Sequence, residues 1–365
     1  YTNYTNQGAT TSSIVYRSPI SRERFIKLYK NPNDIQRITI RSANLRELPA
    51  TKLINCTTLD FAYNQLKTFP NFTFIAPSLF TLNIMRNPFY LSDVESERRF
   101  NSAVLAKIPT TLTTLNMEGT FYGSIERNII SARLPNLINF SCGRGGGAYF
   151  HPDTRSPDGS SSFCPDVPGN VTSYNIQSND FRSVDTNSQP SFGTNGSYSY
   201  KQLPNLVSLN VNGNYYLSDG VHSLASANTI STINYSSAAV AIPNNLGGKT
   251  NLTSFTSIYN RNSANQLVSG STYLFGGCTS LSRLHLYATN LGSVNFPTSF
   301  SNPALSYLDL RYTGIKGGKP VADSSQEYVI YAETFKEAVS IRDLYIDSGN
   351  LGSNFPSGKN RIHPD

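Results

Sequence analysis

One spacing recurs twelve times along this chain of 365 residues: apolar, two residues, apolar, one residue, apolar. The copies start at Ile35, Cys56, Leu79, Leu112, Leu137, Val171, Leu206, Ile230, Leu252, Leu281, Leu305 and Ile341. The second reads Cys56, Leu59, Phe61, then Asn64 and Leu66. Consecutive starts lie 21 to 36 residues apart, so the longer intervals contain inserted loops. The apolar-x-apolar core of each copy is a short strand, with side chains alternating between two faces. One such strand cannot bury its own apolar side. Stacking the copies gives a parallel sheet and a continuous core, held by contacts between neighbouring repeats.

The pattern L-x-x-L-x-L-x-x-N-x-L resembles the leucine-rich repeat, whose period of about 20–29 residues covers the shorter intervals. The resemblance implies a right-handed α/β solenoid of about 12 repeats. A parallel concave sheet would face a convex side built of loops and 3₁₀ turns. Leu45 to Leu48-Pro49, Leu66 to Phe69-Pro70 and the lead-in Phe275…Cys278…Leu281 are similar to bacterial repeats. Five repeats carry Asn at the ninth position (Asn64, Asn87, Asn179, Asn214 and Asn260), where its amide can bond the turning backbone. Copies five, eight and nine depart from the apolar consensus, with Phe140, Cys142, Tyr235 and Ser257 at core positions.

The expected organisation is an N-terminal extension and capping helix over 1–34, a solenoid over 35–351 and a C-terminal tail or linker over 352–365. Ser21 to Tyr29 reads as the cap, with Ser21 as N-cap. Lys27, Lys30, Arg37, Arg41 and Arg46 make that end basic. Insertions are expected at 143–169 and 182–202, side by side because their repeats are consecutive. Long loops on a rigid scaffold often carry contacts. Arg144, Tyr149, His151, Phe192, Tyr198 and Tyr200 are the candidates there.

Counting parity along each strand gives the outward residues. Most are small hydroxyls and amides, such as Thr81, Asn83, Asn116, Ser208 and Asn210, which read as structural. Toward the C-terminus the face becomes aromatic and charged: Arg283, His285, Tyr287, Tyr307, Asp309, Arg311 and Tyr345. Tyr and Arg are the residue types that interfaces favour. Tyr beside polar groups also suits a sugar, which pairs an apolar face with hydroxyls. These seven are the candidate binding residues.

Chemistry is sparse. His285 and Asp309 share a repeat position on neighbouring strands, yet no nucleophile motif accompanies them, so no enzyme is expected. Asp309, Asp343 and Asp347 near the C-terminal end are a weak calcium candidate, because calcium takes six to eight oxygens. Cys56, Cys142 and Cys278 fall at or near core positions, and Cys164 lies in the following loop, leaving a Cys142–Cys164 bridge open. No cysteine–histidine cluster suggests zinc, and no cofactor or metal is expected. The net charge of +7 is mild and dispersed, with no basic face for nucleic acid. No 18-residue apolar stretch or signal peptide is present, and the start at Tyr1 suggests a processed product or a fragment.

Only 15% of residues are charged, against about 25% in typical domains. Solubility leans instead on Ser, Thr, Asn and Tyr, a profile suited to an extracellular or virion surface. With its irregular repeats, the chain resembles leucine-rich proteins of tailed phages. That resemblance implies a virion structural or host-attachment component (tail, baseplate or fibre). Its partners would be subunits of a larger assembly, including its own copies, or a host-surface protein or glycan. The alternative is a bacterial cell-surface or secreted adhesin.

Overall fold

The computed structural model describes residues 31–48, 51–121 apart from 95 and 97, 129–143, 167–179, 203–214, 227–237, 246–260, 272–291, 300–313 and 337–346. It also describes positions 125, 165, 224, 242, 267 and 335 and the short strands given below. The expected capping helix, the six loop candidates from Arg144 to Tyr200, Cys164, Asp347 and the tail lie outside the described residues. The chain divides into two compact units, Tyr1–Phe181 and Arg182–Asp365.

The first unit holds seven strands in sequence order, all parallel where paired. They are β1 (Ser13–Tyr16), β2 (Arg37–Ile40), β3 (Thr58–Asp60), β4 (Thr81–Asn83), β5 (Thr114–Asn116), β6 (Asn139–Ser141) and β7 (Ser173–Asn175). β1 precedes the first recognised repeat. Its Ile14 takes the register position of Ile38, extending the sheet by one strand and covering an edge otherwise open for pairing.

The second unit holds β8 (Ser208–Asn210), β9 (Thr232–Asn234), β10 (Ser254–Thr256), β13 (Arg283–His285), β14 (Tyr307–Asp309) and β17 (Asp343–Tyr345), again parallel and in chain order. Two long repeats insert antiparallel hairpins, β11 (Val268–Ser269) with β12 (Thr272–Tyr273), and β15 (Lys319–Pro320) with β16 (Tyr328–Val329).

The register follows the sequence spacing. Ile38, Leu59, Leu82, Leu115, Phe140 and Tyr174 pair across the first unit. Leu209, Ile233, Phe255, Leu284, Leu308 and Leu344 pair across the second. Every residue at the three apolar positions of the twelve copies is buried, and each large apolar side chain so placed contributes about 1.5–3 kcal/mol. The departures from consensus are accommodated locally. Tyr174 donates its hydroxyl to the Pro165 carbonyl at 2.6 Å, so its polar tip is satisfied. The buried Ser257 hydroxyl accepts from the Asn260 amide at 3.2 Å.

Beneath the turns, the ninth-position amides act as internal braces. Asn64 donates from Nδ2 to the carbonyls of Ile40 at 2.7 Å and Phe61 at 2.8 Å. Its Oδ1 accepts from the amides of Ala43 at 3.0 Å and Leu45 at 3.1 Å. Asn87 and Asn179 likewise bridge to the preceding repeat, through Phe61 O at 2.8 Å and Cys142 O at 2.9 Å. Where threonine replaces asparagine, its hydroxyl reaches the carbonyl three residues back: Thr120 to Met117 at 2.6 Å and Thr313 to Leu310 at 2.8 Å. A second ladder runs just before the strands. Thr113, Thr253, Ser282 and Ser306 each donate a hydroxyl to a carbonyl of the preceding repeat, at 3.0–3.1 Å. These bonds give part of the Ser, Thr and Asn content a structural role.

Opposite the sheet, regular structure is short. Among the described residues the helices are α1 (Phe72–Ile75), α2 (Ser102–Leu105) and α3 (Ile129–Arg133), with 3₁₀ turns at Pro32–Asp34 and Phe89–Leu91. Asn71 and Asn101 cap α1 and α2 through the amides of Phe74 and Val104. Phenylalanines fill the space between them and the sheet. Phe69 meets Phe72 and Phe89 edge-on at 5.5 and 5.2 Å, and Phe89 stacks on Phe121 at 5.5 Å. Cys56 and Cys278 are buried thiols, and burial pushes Cys56 up to about 11, as suits a small apolar core residue. Cys142 is buried in the core as well.

Candidate functional site

The fifth residue of each repeat points away from the core. In most repeats it is Asn or Asp, and its side-chain oxygen accepts from the amide two residues on. Asn83 does so to Met85 at 3.2 Å, Asn116 to Glu118 at 3.1 Å and Asn210 to Asn212 at 3.1 Å. This closes a turn at the strand end, and it explains the outward amides without any ligand. Bonds along the sheet also occur, as from Asn139 to Thr114 and from Asn175 to Ser141.

In the second unit the same position becomes a junction. β13, β14 and β17 lie side by side, so Arg283, Tyr307 and Asp343 form one row and His285, Asp309 and Tyr345 the next. The Asp309 carboxylate is fully buried and gathers its neighbours. Oδ1 accepts from the Arg311 amide at 3.1 Å and from Arg311 Nε at 3.0 Å. Oδ2 accepts from Arg311 Nη2 at 2.7 Å and Tyr307 Oη at 3.3 Å, and lies 3.4 Å from His285 Nε2. On the other side of the imidazole, Arg283 Nη2 lies 3.0 Å from Nδ1. Guanidinium only donates, so Nδ1 accepts and the ring proton sits on Nε2, facing Asp309.

Rings and guanidinium planes complete the patch. Arg283 lies over Tyr307 at 3.9 Å, and Arg311 lies near the faces of Tyr345 at 4.7 Å and Tyr287 at 5.1 Å. Tyr307 contacts His285 at 5.3 Å and Tyr345 at 5.6 Å. The structure thus brings together all seven residues singled out on this face. Two more join them. Tyr259 and Tyr312 each meet Tyr287 edge-on, at 5.5 and 5.3 Å, and are 57% and 65% exposed. Counting parity misses them because they sit on the turn beyond the strand.

Burial works against the Asp309 charge, but the hydrogen bonds from His285 and Arg311 overcome it. They hold the carboxyl well below the usual aspartate range. The same bond raises Arg311. A depressed folded value means stability that is complete above the ordinary aspartate pKa of about 4 and lost as pH falls through the lower folded value. Wild type is therefore expected to melt higher than Asp309→Asn at neutral pH, with the gap narrowing below about pH 4. Calorimetry of both proteins across that range checks this.

The arrangement fixes side chains. Both nitrogens of His285 are engaged, so the imidazole is no free base. Both Asp309 oxygens already take several donors, which also leaves them unfit for calcium. Among the described residues no three His, Cys, Asp or Glu side chains gather as metal ligands. Among them too, no helix is long and apolar enough to cross a membrane.

No family model matches the chain, and no curated protein does. Solved structures do. A leucine-rich repeat protein of Leptospira interrogans aligns over 86% of this chain and 72% of its own, at 16% identity and a TM-score of 0.51. TLR13, solved as a complex with ssRNA13, aligns over 88% of this chain at 19% identity and a TM-score of 0.52. The alignment spans 41% of the TLR13 chain. At these identities the likeness speaks of the fold alone. With the repeat spacing and the parallel strands, it identifies the fold as a leucine-rich repeat solenoid.

Proposed function

We propose that this chain is a non-enzymatic binding protein. Its contact surface is the outward patch of Arg283, His285, Tyr287, Tyr307, Asp309, Arg311 and Tyr345. The observation that carries the reading is the buried Asp309 carboxylate, which holds Arg311, Tyr307 and His285 in place on a half-exposed face. Asp60 likewise holds Arg41, and Glu118 takes Ser141 and Asn175, but the Asp309 network adds a tyrosine and a histidine to the ion pair. Side chains fixed before binding lose little entropy on contact. Tyr and Arg offer large, rigid contact area. The loop residues Arg144, Tyr149, His151, Phe192, Tyr198 and Tyr200 remain candidates for a second contact.

The setting we propose is a virion, as a tail, baseplate or fibre component that contacts other subunits, further copies of itself or the host surface. Low charge and a surface rich in Ser, Thr, Asn and Tyr support it. A bacterial surface or secreted adhesin is the second reading, favoured by the Phe275…Cys278…Leu281 lead-in. Immunogold microscopy on phage particles and intact bacteria from the source sample separates the two. Label at one fixed place on particles is the expected result. Label confined to the cell envelope would replace the virion reading with the adhesin.

A further inference from the structure

In ten of the repeats the turn after the strand places a residue with positive φ directly before the ninth position. It is Ser42, Tyr63, Arg86, Gly119, Ser178, Gly213, Ser237, Tyr259, Ala288 and Tyr312, with φ between 51° and 73°. This left-handed conformation suits glycine and strains residues that carry a Cβ. Gly119 and Gly213 show that the fold accepts glycine here. Tyrosine is a poor choice for folding at this position. Its backbone is strained, and the rings of Tyr259 and Tyr312 are more than half exposed, so burial offers little return. Tyr63 carries the same φ at 46% exposure, so strain alone marks no contact; what sets Tyr259 and Tyr312 apart is that both rings meet Tyr287 beside the Asp309 network.

The two rings flank Tyr287, giving a row of three tyrosines across neighbouring turns, each pair edge-on. Beside the row lie the rigid polar groups of the Asp309 network. We propose that the exposed rings of Tyr259 and Tyr312, on either side of Tyr287, stack against the sugar rings of an uncharged glycan, with the Arg311 and Arg283 guanidinium edges meeting its hydroxyls. A pyranose has one face of C–H bonds, which are drawn to the negative face of an aromatic ring. Its rim of hydroxyls needs nearby donors and acceptors.

The charges narrow the choice. Arg311 is neutralised by Asp309, and Asp343 lies on the same row as Arg283. The patch therefore carries no surplus for an anionic glycan, and no track of cations for a phosphate backbone. A cationic ligand would meet Arg311 and Arg283 already placed over the faces of Tyr287, Tyr345 and Tyr307.

The proposal rests on the patch being a contact surface, and the test keeps the two apart. The full chain is titrated calorimetrically with neutral oligosaccharides of glucose, galactose, mannose and N-acetylglucosamine, and with sialylated and sulfated counterparts. A neutral sugar is expected to bind. Tyr259→Gly with Tyr312→Gly should weaken it by at least about fivefold, as the loss of two ring contacts implies. Melting should stay at or above the wild-type value, because glycine relieves the strained turn. Tyr63→Gly serves as the control for the same backbone change in the first unit, and should leave binding intact. Preference for charged sugars, or equal weakening by Tyr63→Gly, would overturn the proposal. So would the absence of any sugar binding alongside patch-dependent attachment to cells or particles. That last result would leave the contact surface standing with a protein as its partner. Attachment that ignores the patch altogether would remove the contact surface itself.

Discussion

Replacing Leu209 by aspartate is expected to abolish cooperative melting and drive the protein into aggregates. Leu209 is the central residue of β8, 1% exposed and paired with Ile233 on β9. Losing a core leucine costs about 2–5 kcal/mol. An unpaired carboxylate in the same place costs several more, because it loses water and enters a mainly apolar core. The sum reaches the ~5–15 kcal/mol that holds a domain together. Repeats are stabilised by their neighbours, so the damage spreads to the adjoining strands. Circular dichroism melts and size-exclusion chromatography read the result. A soluble variant melting as wild type would mean that the repeat register is wrong. Ser208→Asp, one residue away on the outward face, should be tolerated.

Asn64→Ala is expected to lower stability by about 3 kcal/mol or more, a fall in Tm of roughly 6 °C or more. The Asn64 amide is buried and bonds two amides and at least two carbonyls of the turns around it. Alanine leaves those groups without water or partner, and each buried unpaired group costs about 1–3 kcal/mol. Asn83→Ala makes the informative contrast. Asn83 is the same residue type on the outward face, and it closes one turn through the Met85 amide. Its loss should cost about 1 kcal/mol or less, since water replaces the single bond. Equal effects of the two substitutions would refute the division between bracing asparagines and turn-closing ones. Thermal and urea melts of both variants measure it.

Much of this was legible in the spacing. The interval from Leu305 to Leu308 to Leu310 fixes which side chains enter the core, and parity then assigns Tyr307 and Asp309 to the other face. Neighbouring repeats bring His285 and Asp309 together because equal repeat positions become equal register positions. The rest was hidden for physical reasons. Positive φ leaves no signature when the residue is Tyr, Arg, Ser or Ala, so the exposure of Tyr259 and Tyr312 could not be read from strand parity. The hairpin β15–β16 falls in a long interval without an Asn-Gly or Asp-Gly turn, whereas Gly270-Ser271 between β11 and β12 is a two-residue hairpin signal that the repeat spacing overshadowed. The Asx-like turns at Asn83 and Asn116 were equally silent, because Asn favours several local bonds and the sequence does not select among them.

The central claim is that the Tyr and Arg side chains around Asp309 are a contact surface and not a by-product of stacking. Binding of the full chain to source particles and cells, measured for wild type and for Tyr287→Ala with Tyr307→Ala, tests it most directly when both proteins are also melted. Attachment weakened by at least about tenfold is expected, as loss of two central aromatic contacts of about 1 kcal/mol or more implies, with Tm changed little. Undiminished attachment by the stable double variant would contradict it.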